Sequence, residues 1–419
     1  MDSPWVPRAI TLVLLALLLV GCKRGTVGPG PVQAGPARPT ERPDERLVAA
    51  NTRFGLKLFA ELLKEEPGKN VFVSPSSVAF ALSMTYNGAT GETQEAMAKA
   101  LELQGLTLDE VNRANAALKG ILQNPDPQVE LSIANSLWAR KGIEFKPTFI
   151  EANKRSYGAR VTTLDFAAPG AADTINGWVS KETKGKIKEI VPEQIDAAAI
   201  MFLINAVYFK GRWTDPFEKA STMDRPFTLL DGSEKAVPMM SQSGEYPYLE
   251  TEGFQAISLP YGQERVSMYV FLPSKGSSLK KLCQGLTAET WDEWMSKFVT
   301  KEGSIKLPRF RTECDFSLND SLKALGMEVA FDHDRADFGA MCPTPPNVYI
   351  DEVKHKTFVE VNEEGTEAAA VTSVEMGVTA APPSEERPFE MVVDRPFLCA
   401  IRDNETGTVL FMGAIVEPE

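Results

Sequence analysis

A chain of 419 residues that is 43% hydrophobic and 24% charged has the composition of a soluble globular protein and the length to bury a large core. Its formal net charge of −13, with no long cluster of Lys or Arg, argues against nucleic acid as a partner, because basic side chains supply the affinity for phosphates. Five cysteines, Cys22, Cys283, Cys314, Cys342 and Cys399, are scattered without a CxxC pair or a disulfide-like framework. Cys399 sits in the apolar run PFLCAI and reads as a small buried hydrophobe.

In chain order, residues 10–20 (ITLVLLALLLV) form an apolar run too short to span a bilayer as an ordinary helix. Arg8 and the amino terminus precede it, so residues 1–21 read as a secretory signal. The run ends in Leu19-Val20-Gly21-Cys22, which resembles the bacterial lipobox. That resemblance implies acylation of Cys22 and a lipid anchor in the bacterial cell envelope, at an outer membrane or the cell surface, with the rest of the chain outside the cytoplasm. Residues 23–45 are crowded with Pro and Gly and poor in large apolar side chains. With too little surface to offset chain entropy, residues 22–45 read as an extended lipidated tether.

A single mixed domain is expected over residues 46–419. Leu47 to Leu63 has helical spacing, and Ser77 to Tyr86 and Thr93 to Leu101 also fit helices. Strands are expected at 129–140, 199–211, 256–262 and 266–274, the second an almost continuous apolar run suited to a buried central strand. Helical stretches return at 288–298 and 316–325, the latter stopped by Gly326, and late strands at 304–310 and 408–416. The fold class is α+β with large sheets.

Enzyme motifs are missing. His333 and His355 are the two histidines, and the sequence has no GxSxG, HExxH, Walker A or GxGxxG element. Asp332, Asp334 and Asp337 lack the glycine and terminal glutamate of an EF-hand, so they read as a solvated loop. His355, in the alternating run VKHKTFVEV, reads as a hydrogen-bonded structural residue. No metal and no cofactor is expected.

Residues 363–381 (EEGTEAAAVTSVEMGVTAA) carry the distinctive pattern. From Thr366 one parity reads Thr366, Ala368, Ala370, Thr372, Val374, Met376, Val378, without a charge. Both later carboxylates, Glu367 and Glu375, fall on the other parity, so one face can be buried without burying a charge. This is the pattern of a potential strand; a helix or loop competes, since Glu and Ala are good helix formers.

The run Glu363, Glu364, Gly365, Thr366, Glu367, Ala368, Ala369, Ala370 resembles the hinge of inhibitory serpins. The stretch from Met391 to Ile401 is similar to the serpin signature, and residues 402–418 to the family's carboxyl-terminal ending. Asn70 to Ser77 and Asn205 to Trp213 also resemble family motifs, in order and spacing, across roughly residues 46–419. The resemblance implies a serpin fold: a large central sheet with further sheets, surrounding helices and an exposed reactive-centre loop, here within residues 363–381. It also implies an inhibitor of serine-type endopeptidases rather than an enzyme. The protease would acylate itself on the loop, and the cut loop would insert into the central sheet and drag the protease along.

By the family's spacing the reactive bond is Thr379–Ala380. The small residues around it imply an elastase-like or subtilisin-like target, with a cysteine protease as another option. Ser74, Ser77, Asn205 and His355 correspond to a polar cluster beneath the sheet that controls opening. Trp213 matches the tryptophan where the loop first enters, and Arg309 is placed to pair with Glu363. No basic helix resembles those of polyanion-activated members, so no heparin dependence is expected, and the protein is expected to be a monomer. The alternative is a non-inhibitory serpin that binds or adheres at the envelope; the small-residue hinge disfavours it.

Overall fold

The computed structural model describes residues 43–123, 125–196, 199–343, 345, 347–366 and 387–419. Helix α1 (Glu45–Glu65) opens on Asp44, whose side chain accepts the Arg46 N–H, and it buries Leu47, Phe54, Leu58 and Leu62 along one stripe. Strand β1 (Val71–Val73) leads into α2 (Pro75–Tyr86), which starts with Pro at its first position and is buried on every side. Helices α3 (Gly91–Ala100) and α4 (Leu108–Leu122) follow, α4 closed by a Thr107–Glu110 capping box.

The middle of the chain then alternates. Strand β2 (Val129–Arg140), α5 (Pro147–Tyr157), β3 (Arg160–Leu164), α6 (Ala171–Glu182) and β4 (Met201–Arg212) come in turn. A run of strands follows: β5 (Met223–Thr228), β6 (Glu234–Glu250), β7 (Phe254–Tyr261) and β8 (Val266–Pro273). Short helices α7 (Leu279–Gln284) and α8 (Ala288–Ser296) precede β9 (Val299–Pro308) and β10 (Phe310–Ser317). A single turn, α9 (Asn319–Leu322), leads towards β11 (Glu352–Asn362) and the two-residue β12 (Gly365–Thr366). Strands β13 (Phe389–Val392), β14 (Phe397–Asp403) and β15 (Val409–Ile415) end the chain.

These strands form two sheets. The larger runs β1-β15-β14-β8-β7-β6-β9-β13, with β5 beside β6; the second runs β10-β11-β12-β4-β2-β3. From Met201 to Phe209 strand β4 is apolar but for Asn205 because the second sheet is covered on both faces. Leu203, Val207 and Phe209 enter the main core, whereas Phe202, Ile204 and Ala206 join a second cluster with Trp138, Phe358 and the Ile175 and Val179 side chains of α6.

Two expectations change. The helix expected over 316–325 starts later, at α9, because β10 keeps its alternating burial through Ser317; it continues from α9 as a wider π-helical turn, Lys323–Met327, whose helical dihedrals break at Gly326, with φ +100°. The strand expected at 304–310 is two strands that meet at Arg309: its N–H still bonds Pro238 O in the β6–β9 register, whereas from Phe310 the chain pairs with β11. The Asp332–Asp337 segment is a self-bonded turn, in which Asp332 accepts the Asp334 and Arg335 N–H groups. Among the described residues, Cys283, Cys314, Cys342 and Cys399 are free thiols, and no group of three or more His, Cys, Asp or Glu side chains is suited to a metal.

Candidate functional site

The site is the seam between β4 and β11. From Glu352 to Phe358, β11 runs parallel to β4, pairing with Phe202 to Tyr208. Beyond Phe358 the strands part, and β12 occupies the gap. Thr366 lies opposite both Gly211 of β4 and Val361 of β11, and Gly365 lies opposite Arg212 and Asn362, each pairing antiparallel. The chain therefore turns back at residues 363–364 and starts a new strand inside the sheet.

Sequence chemistry explains why this turn fits. Gly365 has φ +145°, and a Cβ there would fall 2.0 Å from the Gly211 carbonyl oxygen, so only glycine is accommodated. Thr366 is fully buried on the core side, and its hydroxyl lies 2.7 Å from the Tyr261 hydroxyl. The pair satisfies two polar groups that would otherwise be orphaned in the core.

The segment after β4 holds the turn from outside. Trp213 N–H donates to Glu364 O at 3.0 Å, Phe217 N–H to Glu363 O at 2.9 Å, and the Trp213 indole to Asn362 O at 2.9 Å. The Trp213 ring stacks on Tyr261 at 4.4 Å between centroids. Arg309 Nε lies 2.7 and 2.8 Å from the two Glu363 oxygens, a forked contact that Thr222 supplements with a hydroxyl donor. Burial pushes the Glu363 carboxyl up, but the bonds from Arg309 and Thr222 outweigh it and hold it below the ordinary value of 4.5. Lys219 pairs with Glu364.

Lower in the seam, His355 of β11 and Asn205 of β4 face each other in register. The imidazole Nε2 accepts the Ser74 N–H at 3.1 Å, which assigns the proton to Nδ1 and makes it the donor to Asn205 Oδ1 at 2.6 Å. Burial pushes the His355 pKa down to about 3, and the ring is neutral at pH 7. The Asn205 amide also donates to Ser77 and to Asn135 of β2, while the Ser74 hydroxyl donates to Leu410 O. This buried network joins β4 and β11 across the seam, and it bridges the two strands that must separate if β12 is to lengthen.

The family profile described as serpin (serine protease inhibitor) matches residues 49–418. The chain belongs to the serpin family. Leukocyte elastase inhibitor of Homo sapiens is 36% identical over 387 residues, covering 89% of this chain and 100% of the relative. Serpin B9 of Homo sapiens is 35% identical over 381 residues, again covering 89% and 100%. Among solved structures, the thermophilic serpin tengpin in its native state aligns with TM-score 0.83 and 31% identity, over 92% of this chain and 97% of its own. Native protease nexin-1 with heparin aligns with TM-score 0.81 and 30% identity, over 89% of this chain and all of its own.

Within this serpin, the structure brings together Glu363, Glu364, Gly365, Thr366, Trp213 and Arg309 at the head of the seam, and Ser74, Ser77, Asn205 and His355 beneath it. Cys22, Glu367, Ala368, Ala369, Ala370, Thr379 and Ala380 lie outside the described residues. Sequence reasoning missed Tyr261, Thr222, Asn135 and Gly211. Asn135 sat unremarked as a polar residue in an apolar strand pattern, which was an available signal; Tyr261 and Gly211 matter only once β12 is placed beside them.

Proposed function

We propose that this serpin traps a serine protease covalently, by extending β12 down the seam after the protease cleaves at Thr379–Ala380. The observation that carries the reading is the seating of Gly365 and Thr366 between β4 and β11, since the first step of insertion is already made. Continuing the same register pairs Thr372 with both Asn205 and His355, and Met376 with Met201 at the start of β4. The uncharged parity then faces the core throughout. Insertion replaces the parallel β11–β4 pairing with two antiparallel ladders, which are more stable per residue. At about 3.4 Å per residue, the ten steps from Thr366 put Met376 about 34 Å down the sheet, with the protease attached beyond it at Thr379.

Chemically, the target's serine hydroxyl attacks the Thr379 carbonyl, the amine of Ala380 leaves, and Thr379 remains as an ester on the enzyme. Insertion outpacing ester hydrolysis makes an inhibitor; the reverse order makes a substrate. The small residues at 378–381 and the similarity to leukocyte elastase inhibitor favour an elastase-like or subtilisin-like target. The same proposal places the protein on a bacterial envelope through acylated Cys22, with residues 23–45 as tether and the remainder acting as a monomer without polyanion dependence.

Incubation with an elastase-like protease tests the first part. A covalent band that survives SDS, with release of a peptide beginning at Ala380, is the expected result; clean cleavage without a complex would leave the envelope-binding alternative. Radiolabelled palmitate incorporated into the wild type but not into Cys22→Ser is the expected result for the anchor.

A further inference from the structure

Beside the hinge lies a half-open cavity of about 280 Å³, walled by residues of the segment after β4, by β6, β7 and β8, and by Asn404. Five aromatic side chains, Trp213, Phe217, Tyr246, Tyr269 and Phe298, line it together with three carboxylates, Asp215, Glu245 and Glu264; no Lys, Arg or His is among the described residues of its wall. Tyr246 is 5% exposed, and its hydroxyl is buried with no hydrogen-bond partner among the described residues. Burial, and then the Asp215 carboxylate, push this phenol upward, so the hydroxyl stays protonated and neutral.

Each class of occupant can be weighed against that wall. An anion would face three carboxylates. A bare metal ion needs several oxygens converging at bonding distance, and no such cluster of acidic groups exists among the described residues. A neutral apolar molecule would leave the Tyr246 hydroxyl unpaired. An organic cation meets all three features, since aromatic faces attract it, the carboxylates balance its charge, and an N–H donor pairs the hydroxyl. We propose that this cavity binds a small organic cation carrying N–H donors, a primary ammonium or a guanidinium. Trp213 and Phe217 belong both to this wall and to the set holding the carbonyls of Glu363 and Glu364, so the site shares a partition with the hinge.

Calorimetric titration of the full chain with agmatine, n-butylamine, tetramethylammonium and 1-butanol tests the assignment, with tryptophan fluorescence as a second readout. Agmatine and butylamine are expected to bind saturably, and 1-butanol at least about tenfold more weakly, as befits a charge-assisted site. Tyr246→Phe is expected to weaken agmatine about tenfold while leaving tetramethylammonium unchanged, because only the former donates an N–H to the hydroxyl. Asp215→Asn is expected to weaken both cations. Thermal melts of the two variants establish that they are folded. Equal binding of butanol and butylamine, an unaltered agmatine affinity in folded Tyr246→Phe, or no saturable binding by the wild type would each overturn the proposal.

Discussion

In the proposed mechanism, Thr366 is the side chain on which insertion turns. It sits fully buried against Tyr261, with no acidic group bonded to it. An arginine there must either bury an unpaired guanidinium, at a cost of several kcal/mol, or expel β12 from the sheet. Since about 1.4 kcal/mol shifts a kinetic partition tenfold, Thr366→Arg is expected to raise the number of inhibitor molecules consumed per protease by at least about tenfold. Titration of protease activity and counting of SDS-stable complexes measure this. His355 acts at the same scale through its proton. Its folded pKa of about 3 lies below the ordinary 6.5, so the neutral form is the one the fold favours. The stability it contributes is complete above about pH 6.5 and is lost as pH falls from there towards 3, because the unfolded chain takes up a proton that the buried ring cannot, with a slope approaching about 1.4 kcal/mol per pH unit. Thermal midpoints of the wild type should therefore drop more steeply between pH 6.5 and pH 4.5 than those of His355→Gln, which keeps a hydrogen-bonding side chain without the titration.

At the scale of elements, the seam makes adjacent loop positions inequivalent. Extending β12 in its present register turns Thr372 into the core between Asn205 and His355 and turns Ser373 to the opposite face. Thr372→Arg should abolish complex formation in favour of cleavage, while Ser373→Arg should retain most of it; equal effects would mean that the register does not continue. The head of the seam is held by Arg309 and Glu363, the former 41% exposed and the latter 2%. That exposure screens the pair, so a double-mutant cycle on thermal stability should give a coupling of about 1 kcal/mol rather than the value of a fully buried bridge. Much of this architecture was legible in advance. Strand β2 matches its expected limits of 129–140, and β4 was read as central from its unbroken apolar run. Apolar periodicity reports burial directly. It overran only at the start of the helix expected over 316–325, where alternation and helical spacing overlap and pairing with β11 keeps Phe316 and Ser317 in β10. Strand β6, seventeen residues long, escaped notice because its outer face is polar and two prolines interrupt it. Glu363 and Arg309 could be paired only through the serpin resemblance, since fifty-four residues separate them and neither carries a local signal.

For the whole molecule, the proposed mechanism demands that the folded chain not be at its free-energy minimum. Strands β11 and β4 share a parallel seam of seven residue pairs, yet the same edges already accept an antiparallel strand at their upper end. In the proposed mechanism residues 367–376 compete for a place in the sheet, and taking it would break the seam beneath Thr366 with its Asn205–His355 bridge. On that proposal, cutting near residue 379 would remove the tether to β13 and permit full insertion. Unfolding entropy of about 2.1 cal/mol/K per residue gives a domain of this size about 0.8 kcal/mol per degree, so each ~10 kcal/mol released should raise the melting midpoint by about 13 °C. The measurement is a pair of calorimetric scans, intact against cleaved, at pH 7.4. A rise above about 10 °C accords with a strained fold that can do mechanical work on a protease. A rise below about 5 °C leaves less than about 4 kcal/mol, too little to outrun ester hydrolysis against the load of distorting a second folded protein.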